Sequence, residues 1–178
     1  MNNFVFSTVA DVVVGAGTSA QVGDIALAMG IKRVFVVTDA GIVQFGLMDK
    51  ALQSLKAHNI EYIIYAKVVA DPPEAVGMDA VAKAREFKCD SVIGFGGGSS
   101  MDVAKLLAVL INGKQSLSDI YGVDKVTGDR LPLIQIPTTA GTGSEATMVS
   151  IITTGETTKA GVVSRTLLAD KIILDSGL

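Results

Sequence analysis

The chain has no tryptophan, one cysteine and one histidine. A lone cysteine, Cys89, cannot close an internal disulfide, and it fits a reducing compartment. It lies between a helical pattern and a strand pattern, where it reads as a small core residue rather than a nucleophile. The lone histidine, His58, sits near the polar end of a helical pattern and reads as a solvated or dipole-compensating group. With one His and one Cys, no catalytic transition-metal site is expected within the chain. No H-E-x-x-H, G-x-S-x-G or P-loop lysine pattern occurs. Long apolar runs are missing too: residues 12–14 and 106–111 are far too short to span a bilayer. Met-Asn-Asn-Phe-Val-Phe has no basic region leading into a hydrophobic core, so no signal peptide is expected and the location expected is cytoplasmic. There is no excess of basic charge. The net charge of −3 and pI near 5.1 exclude nucleic acid and anionic membrane as expected partners.

What the chain does have is apolar content. At 49% hydrophobic and 19% charged residues it is a globular chain, and 178 residues can bury one domain's core. Short β-branched runs alternate with helical patterns, which predicts βαβ units and a parallel sheet flanked by helices, an α/β fold. Strands are expected at 11–14, 33–38, 61–66, 91–95, 133–136 and 171–174. A β-hairpin is expected from 149–153 and 160–163, around the turn Gly155-Glu156-Thr157-Thr158. Helices are expected from Thr18, capped with Gln21 in a capping box, to Gly30; over 43–57; from Asp71 as cap to Lys88; and from the end of Gly96-Gly97-Gly98 to Asn112.

Two glycine-rich turns follow strands and open helices. Gly15-Ala16-Gly17-Thr18-Ser19-Ala20 has the G-x-G-x-x-A spacing of a dinucleotide fingerprint. The other, Gly96-Gly97-Gly98-Ser99-Ser100, joins an apolar strand to an amphipathic helix. Glycines let backbone approach an anion, and a helix start offers unpaired N–H groups and a positive dipole end. Ser99 or Ser100 can cap that helix or bind a phosphate oxygen. The two turns compete for a pyrophosphate. The Gly96–Gly98 turn has the better anion geometry, and the first is read as close backbone packing. Asp39 stands at a strand's carboxyl end, where it can take a ribose or cap the next helix; ribose binding is preferred. Asp102, in the first helical turn, is either a dipole-favoured acid or an acceptor from a sugar or amide, and both readings stay open. Residues 137–147 concentrate threonines, glycines and a serine in a loop after a strand, fit either to line a cleft or to form a polar turn.

Three blocks resemble the N-terminal half of the iron-containing (group III) alcohol dehydrogenases. Thr38-Asp39-Ala40-Gly41 resembles the family's strand-end acid, and Gly96 to Lys105 its G-G-G-S-x-x-D-x-A-K loop. Pro137-Thr138-Thr139-Ala140-Gly141-Thr142-Gly143-Ser144-Glu145-Ala146-Thr147 resembles its P-T-T-A-G-T-G-S-E-x-T signature. Related dehydroquinate synthase and glycerol dehydrogenase groups share the Gly-rich loop but differ over the threonine block. One departure is Asp71, where the family commonly has Asn before its Pro. The resemblance implies a Rossmann-like, NAD-binding domain of a metal-dependent alcohol dehydrogenase, acting on a small alcohol or aldehyde. The iron or zinc ligands would lie in a following helical domain that this chain ends before. It further implies that Gly97, Gly98 and Ser99 hold the pyrophosphate and that Asp39 binds the adenosine ribose. Thr138, Thr139 and Thr142 would wall the nucleotide, Thr147 and Lys159 would reach its nicotinamide side, and Asp102 joins the cofactor-binding set. A stand-alone nucleotide-binding module, and a family reductase of keto or unsaturated acids, stay as alternatives. A homo-oligomer is left open.

Overall fold

A computed structural model of the chain describes residues 7–178. The β-branched runs form strands β1 (Asp11–Val14), β2 (Arg33–Asp39), β3 (Glu61–Val68), β4 (Ser91–Gly96), β5 (Gly122–Val123), β6 (Leu133–Pro137), β7 (Val149–Thr154), β8 (Thr158–Val163) and β9 (Lys171–Leu174). The helices are α1 (Val22–Ala28), α2 (Ala40–Gln44), α3 (Asp49–Ala57), α4 (Glu74–Phe87) and α5 (Gly98–Leu110). Six strands form one parallel sheet in the order β1-β9-β6-β4-β2-β3, with helices on both faces in the Rossmann-like manner expected. β7 and β8 form the expected hairpin, and β8 also carries the two-residue β5, which no sequence pattern announces.

Alternation along the central strands divides the core. Phe35, Val37 and Val92 face α4 and α5, packing with Val81, Ala84, Val103 and Leu107. Val34, Val36, Ile93 and Phe95 face the other way, against Val22 and Ala26 of α1 and Ala51 and Leu55 of α3. Every residue of β4 is buried, as a strand covered on both faces must be.

The strand order positions the site. From β2 the chain steps outward to β3 at the sheet edge, then crosses back to place β4 on the other side of β2. Connections leaving the carboxyl ends of β2 and β4 therefore diverge, and ligands bind open α/β sheets at such a switch point. Asp39 ends β2 and Gly96 ends β4.

Four local expectations are corrected. The helix expected over 43–57 is two helices, α2 and α3, because Asp39 starts α2 early and Gly46 takes a left-handed φ of 65° between them. The Thr18–Gln21 capping box does not form. Thr18 Oγ1 donates to Gly15 O at 2.8 Å, and a 3-10 turn, Thr18–Gln21, precedes α1. Asp71 does not cap α4, whose N-cap is Pro73; its carboxylate pairs with Lys159, 88 residues on. Neither Ser99 nor Ser100 caps α5, whose N-cap is Gly97 with no side-chain hydrogen bond.

Candidate nucleotide-binding site

The turn between β4 and α5 offers an open helix N-terminus. Gly97 O accepts from Met101 N at 3.1 Å, so the N–H groups of Gly98, Ser99 and Ser100 precede the helix's own ladder. With no side-chain cap, these donors and the positive dipole end face outward together. The three glycines differ in kind. Only Gly96 has a positive φ, 142°, while Gly97 is extended and Gly98 is helical, so the need for glycine's backbone freedom applies to Gly96 alone. At Gly98 it is space that counts: a Cβ there would lie 3.0 Å from Thr142 Cγ2, whereas at Gly97 it would meet Thr139 at an ordinary 3.6 Å.

Cavities open on either side of this turn. One of about 380 Å³ is lined by Asp39, Val68, Gly97, Gly98, Ser99 and Thr139. Another of about 350 Å³ is lined by Gly98, Ser99, Asp102, Thr142, Thr147 and Lys159. Gly98 and Ser99 belong to both, so the uncapped helix start lies between two compartments. Thr138 belongs to neither; with Thr139 it lines a third cavity of about 550 Å³ beside Glu145 and Leu174, and its N–H is held by Gly96 O at 3.0 Å.

Asp39 caps the next helix with one carboxylate oxygen and turns the other toward the crevice. Oδ1 caps α2, accepting from Gly41 N at 2.9 Å and Ile42 N at 3.1 Å. Oδ2 faces the Gly-rich turn, 3.4 Å from where a Cβ on Gly96 would stand, and the residue lines the first cavity. One oxygen fixes the local fold and the other is presented to the crevice.

Asp102 lines the second cavity but turns its carboxylate to the protein. Oδ2 accepts from Ile151 N at 3.1 Å; Oδ1 accepts from Ser144 Oγ at 2.5 Å and forms an ion pair with Lys105 Nζ at 3.3 Å. Its main-chain oxygen accepts from Ser150 Oγ at 2.9 Å. The carboxylate is thus held away from an anion at the helix start and ties α5 to the hairpin. Lys105, beneath it, is fully buried, a position that no sequence expectation assigned. Burial lowers its pKa, and Asp102 opposes that. A sequence signal existed: a lysine on a helix otherwise apolar at Met101, Ala104 and Ala108, three residues past an Asp. Lys159, paired with Asp71, stands at the cavity's rim.

The first glycine turn is already filled by an anion of the chain itself. Asp175, just past β9, accepts from Gly17 N at 2.7 Å and Gly177 N at 2.9 Å on Oδ1, and from Ser19 N at 3.0 Å on Oδ2. Gly17 takes φ 77° to aim its N–H there. The donors a pyrophosphate would need are thereby engaged, consistent with the packing role expected for this turn. Burial alone would push the Asp175 carboxyl up, but the Ser19, Gly177 and Gly17 donors outweigh it and hold it at about 2. A lowered pKa means the folded state binds fewer protons than the unfolded one, so this stabilisation is full above the ordinary carboxylate range and is lost as pH falls from 3.8 toward 2. Asp175→Asn is expected to cost about 1–3 kcal/mol near neutral pH, because the amide sets a donor against those N–H groups. It is also expected to flatten the acid limb of stability. Thermal melts from pH 7 to pH 2 check both; an unchanged acid limb excludes the assignment.

Among the described residues, no group of three or more His, Cys, Asp or Glu side chains is placed to hold a metal ion. No helix among them is long and apolar enough to cross a membrane.

Comparison with known proteins identifies relatives by sequence and by fold. The chain is 42% identical over 168 residues to long-chain-alcohol dehydrogenase 1 of Geobacillus thermodenitrificans, a match covering 93% of this chain and 42% of that protein. Among solved structures it superposes on a 1,3-propanediol oxidoreductase with a TM-score of 0.94 at 29% identity, covering 98% of this chain and 46% of the other. It superposes on the sulfoacetaldehyde reductase of Bifidobacterium kashiwanohense, solved in complex with NAD+, with a TM-score of 0.87 at 30% identity and the same two coverages, 98% and 46%. The chain thus spans less than half the length of the relatives it matches. The family model for iron-containing alcohol dehydrogenase matches residues 10–176, and the chain belongs to that family.

Proposed function

We propose that this chain is the dinucleotide-binding domain of a two-domain, metal-dependent, NAD-linked oxidoreductase of small alcohols and aldehydes. The observation that carries the reading is the uncapped start of α5, set at the switch point of the sheet and open to a cavity on each side. Gly97, Gly98 and Ser99 hold the pyrophosphate through main-chain N–H groups and the helix dipole. Asp39 Oδ2 accepts from the adenosine ribose in the first cavity. Thr139 and Thr142 wall the nucleotide on either side, and Thr138 extends that wall into the third cavity. Thr147 and Lys159 reach the ribose or phosphate of the nicotinamide half in the second. Asp102 contributes by holding Ser144 of the loop that carries this wall and Ile151 of the hairpin that carries Lys159.

When bound, NAD supplies the hydride acceptor, and the protein's part is to bind and orient it. By the family resemblance the iron or zinc ligands are assigned to a helical domain of the longer enzyme, and no chemical step is placed on this chain. The Cys89 thiol is pushed up to about 11, by burial first and then by Asp90, which makes it a core residue rather than a nucleophile. A single cysteine also suits a cytoplasmic setting. Residues 1–178 purified alone are therefore expected to show no alcohol-dependent reduction of NAD, with or without added iron or zinc. Turnover stimulated by either metal in a spectrophotometric NADH assay would place the active site within this chain and overturn the domain assignment.

A further inference from the structure

Lys105 is the only buried lysine among the described residues, and none of the contacts proposed for the nucleotide uses it. Its ammonium has three protons and no acceptor. The three shortest contacts take them: Val149 O at 2.7 Å, Ser144 Oγ at 2.9 Å and Thr147 Oγ1 at 3.0 Å. Asp102 Oδ1, at 3.3 Å, supplies the counter-charge.

The consequence lies in the direction of the two hydroxyl bonds. A hydroxyl that accepts from Lys105 must send its single proton elsewhere. Ser144 sends its proton to Asp102 Oδ1 at 2.5 Å. Among the described residues Thr147 has only Ser144 O at 3.3 Å and Val149 O at 3.4 Å within reach, both well beyond the usual length of an O–H···O bond. Val149 O already takes the short bond from Lys105. Thr147 itself lines the cavity shared by Gly98, Ser99 and Lys159.

We propose that Lys105 is a positioning residue that fixes the polarity of Thr147, so that its hydroxyl donates into the cavity to an acceptor oxygen of the bound dinucleotide. The acceptor is a ribose oxygen on the nicotinamide side, which rests on the nucleotide placement proposed above. From beneath the wall, the lysine turns a hydroxyl of either polarity into a committed donor. The same ammonium joins α5, which offers the pyrophosphate donors, to the loop that offers Thr147, so the two sets of donors keep one spacing.

The test is calorimetric titration of NAD+ and, separately, of ADP, which keeps both phosphates and lacks only the nicotinamide riboside. Wild type is compared with Thr147→Val, Thr147→Ser, Lys105→Met and the Thr147→Val/Lys105→Met double variant, each checked by thermal melting. NAD+ affinity is expected to fall about tenfold or more in Thr147→Val and in Lys105→Met, with ADP affinity within about twofold of wild type. Thr147→Ser, which keeps the hydroxyl, is expected to bind like wild type, and the double variant no worse than either single one. Equal loss of ADP and NAD+ in Lys105→Met would mark a merely structural lysine and overturn the inference, as would a full additional loss in the double variant. Should Lys105→Met not melt cooperatively, Thr147→Val decides, since unchanged NAD+ affinity there overturns it alone. If wild type binds neither NAD+ nor ADP, the nucleotide reading itself fails and this inference with it; if wild type binds both, only the role of Lys105 is at stake.

Discussion

Gly98→Val is expected to abolish detectable NAD binding while leaving a cooperative thermal transition. Position 98 is helical, so valine meets no backbone prohibition there. Its Cβ would stand 3.0 Å from Thr142 Cγ2, and the added methyl groups would occupy the mouth shared by the two cavities. The surface threonine can shift by a few tenths of an ångström, so folding is expected to lose no more than about 1–2 kcal/mol from helix propensity and crowding. A phosphate seated on the N–H groups of Gly98 and Ser99 has no comparable room to give. The expected fall in affinity is at least about a hundredfold, roughly 2.7 kcal/mol. Gly17→Val is the matched control and is expected to behave in the opposite way. At φ 77° a β-branched residue is strained, and the shift would pull the Gly17 N–H off Asp175, so stability falls first. Calorimetry with NAD and thermal melts on both variants separate the turns. Loss of NAD in Gly17→Val with folding intact, together with retention in Gly98→Val, would move the pyrophosphate to the first turn.

Asp39 is expected to favour NAD over NADP by about a hundredfold, roughly 2.7 kcal/mol, because a 2′-phosphate would face its Oδ2 across a partly desolvated crevice. Asp39→Gly is expected to bring that preference within about tenfold, by removing both a ribose acceptor and the repulsion. The structure adds a refinement. Oδ1 caps α2, and glycine is a tolerated N-cap, so the stability cost of Asp39→Gly stays at a few tenths of a kcal/mol. Asp39→Asn keeps a capping oxygen while deleting the charge. It isolates electrostatics from local folding and is expected to relax cofactor choice with an unchanged melting temperature. Equal calorimetric affinities of wild type for NAD and NADP would remove Asp39 from the ribose.

Most of the fold was legible because its determinants are local. The runs at 33–38 and 91–95 bear β-branched side chains on both faces, and such runs in a βαβ pattern can be satisfied only by a parallel sheet covered on both sides. The Gly96–Gly98 turn was legible for the same reason, since strand, glycines and helix start are contiguous. Two of the misses have the opposite cause. Thr18 and Gln21 carry capping-box spacing, yet the N–H groups of that turn go to Asp175, more than 150 residues away. Asp71 stands where a helix cap belongs, yet Lys159 takes its carboxylate. A short-range rule names the best partner within a few residues and has no term for a charged group that the sheet order delivers.

The sequence alone determined the α/β class, the positions of the six strands of the parallel sheet and of the hairpin, and the two glycine turns that compete for a phosphate, because periodicity and glycine placement act over neighbouring residues. Tertiary structure alone decided how the carboxylates divide their work. Strand order put β9 beside β1, so Asp175 filled the first glycine turn and left only the second open to a ligand. It also laid the hairpin across α5, so Asp102 and Lys105 bonded the protein, while Asp39, at the end of β2, kept one oxygen free for the crevice. Which polar group is spent inside the fold and which is left for a ligand depends on distances between residues far apart in the chain, and those exist only once the sheet has closed.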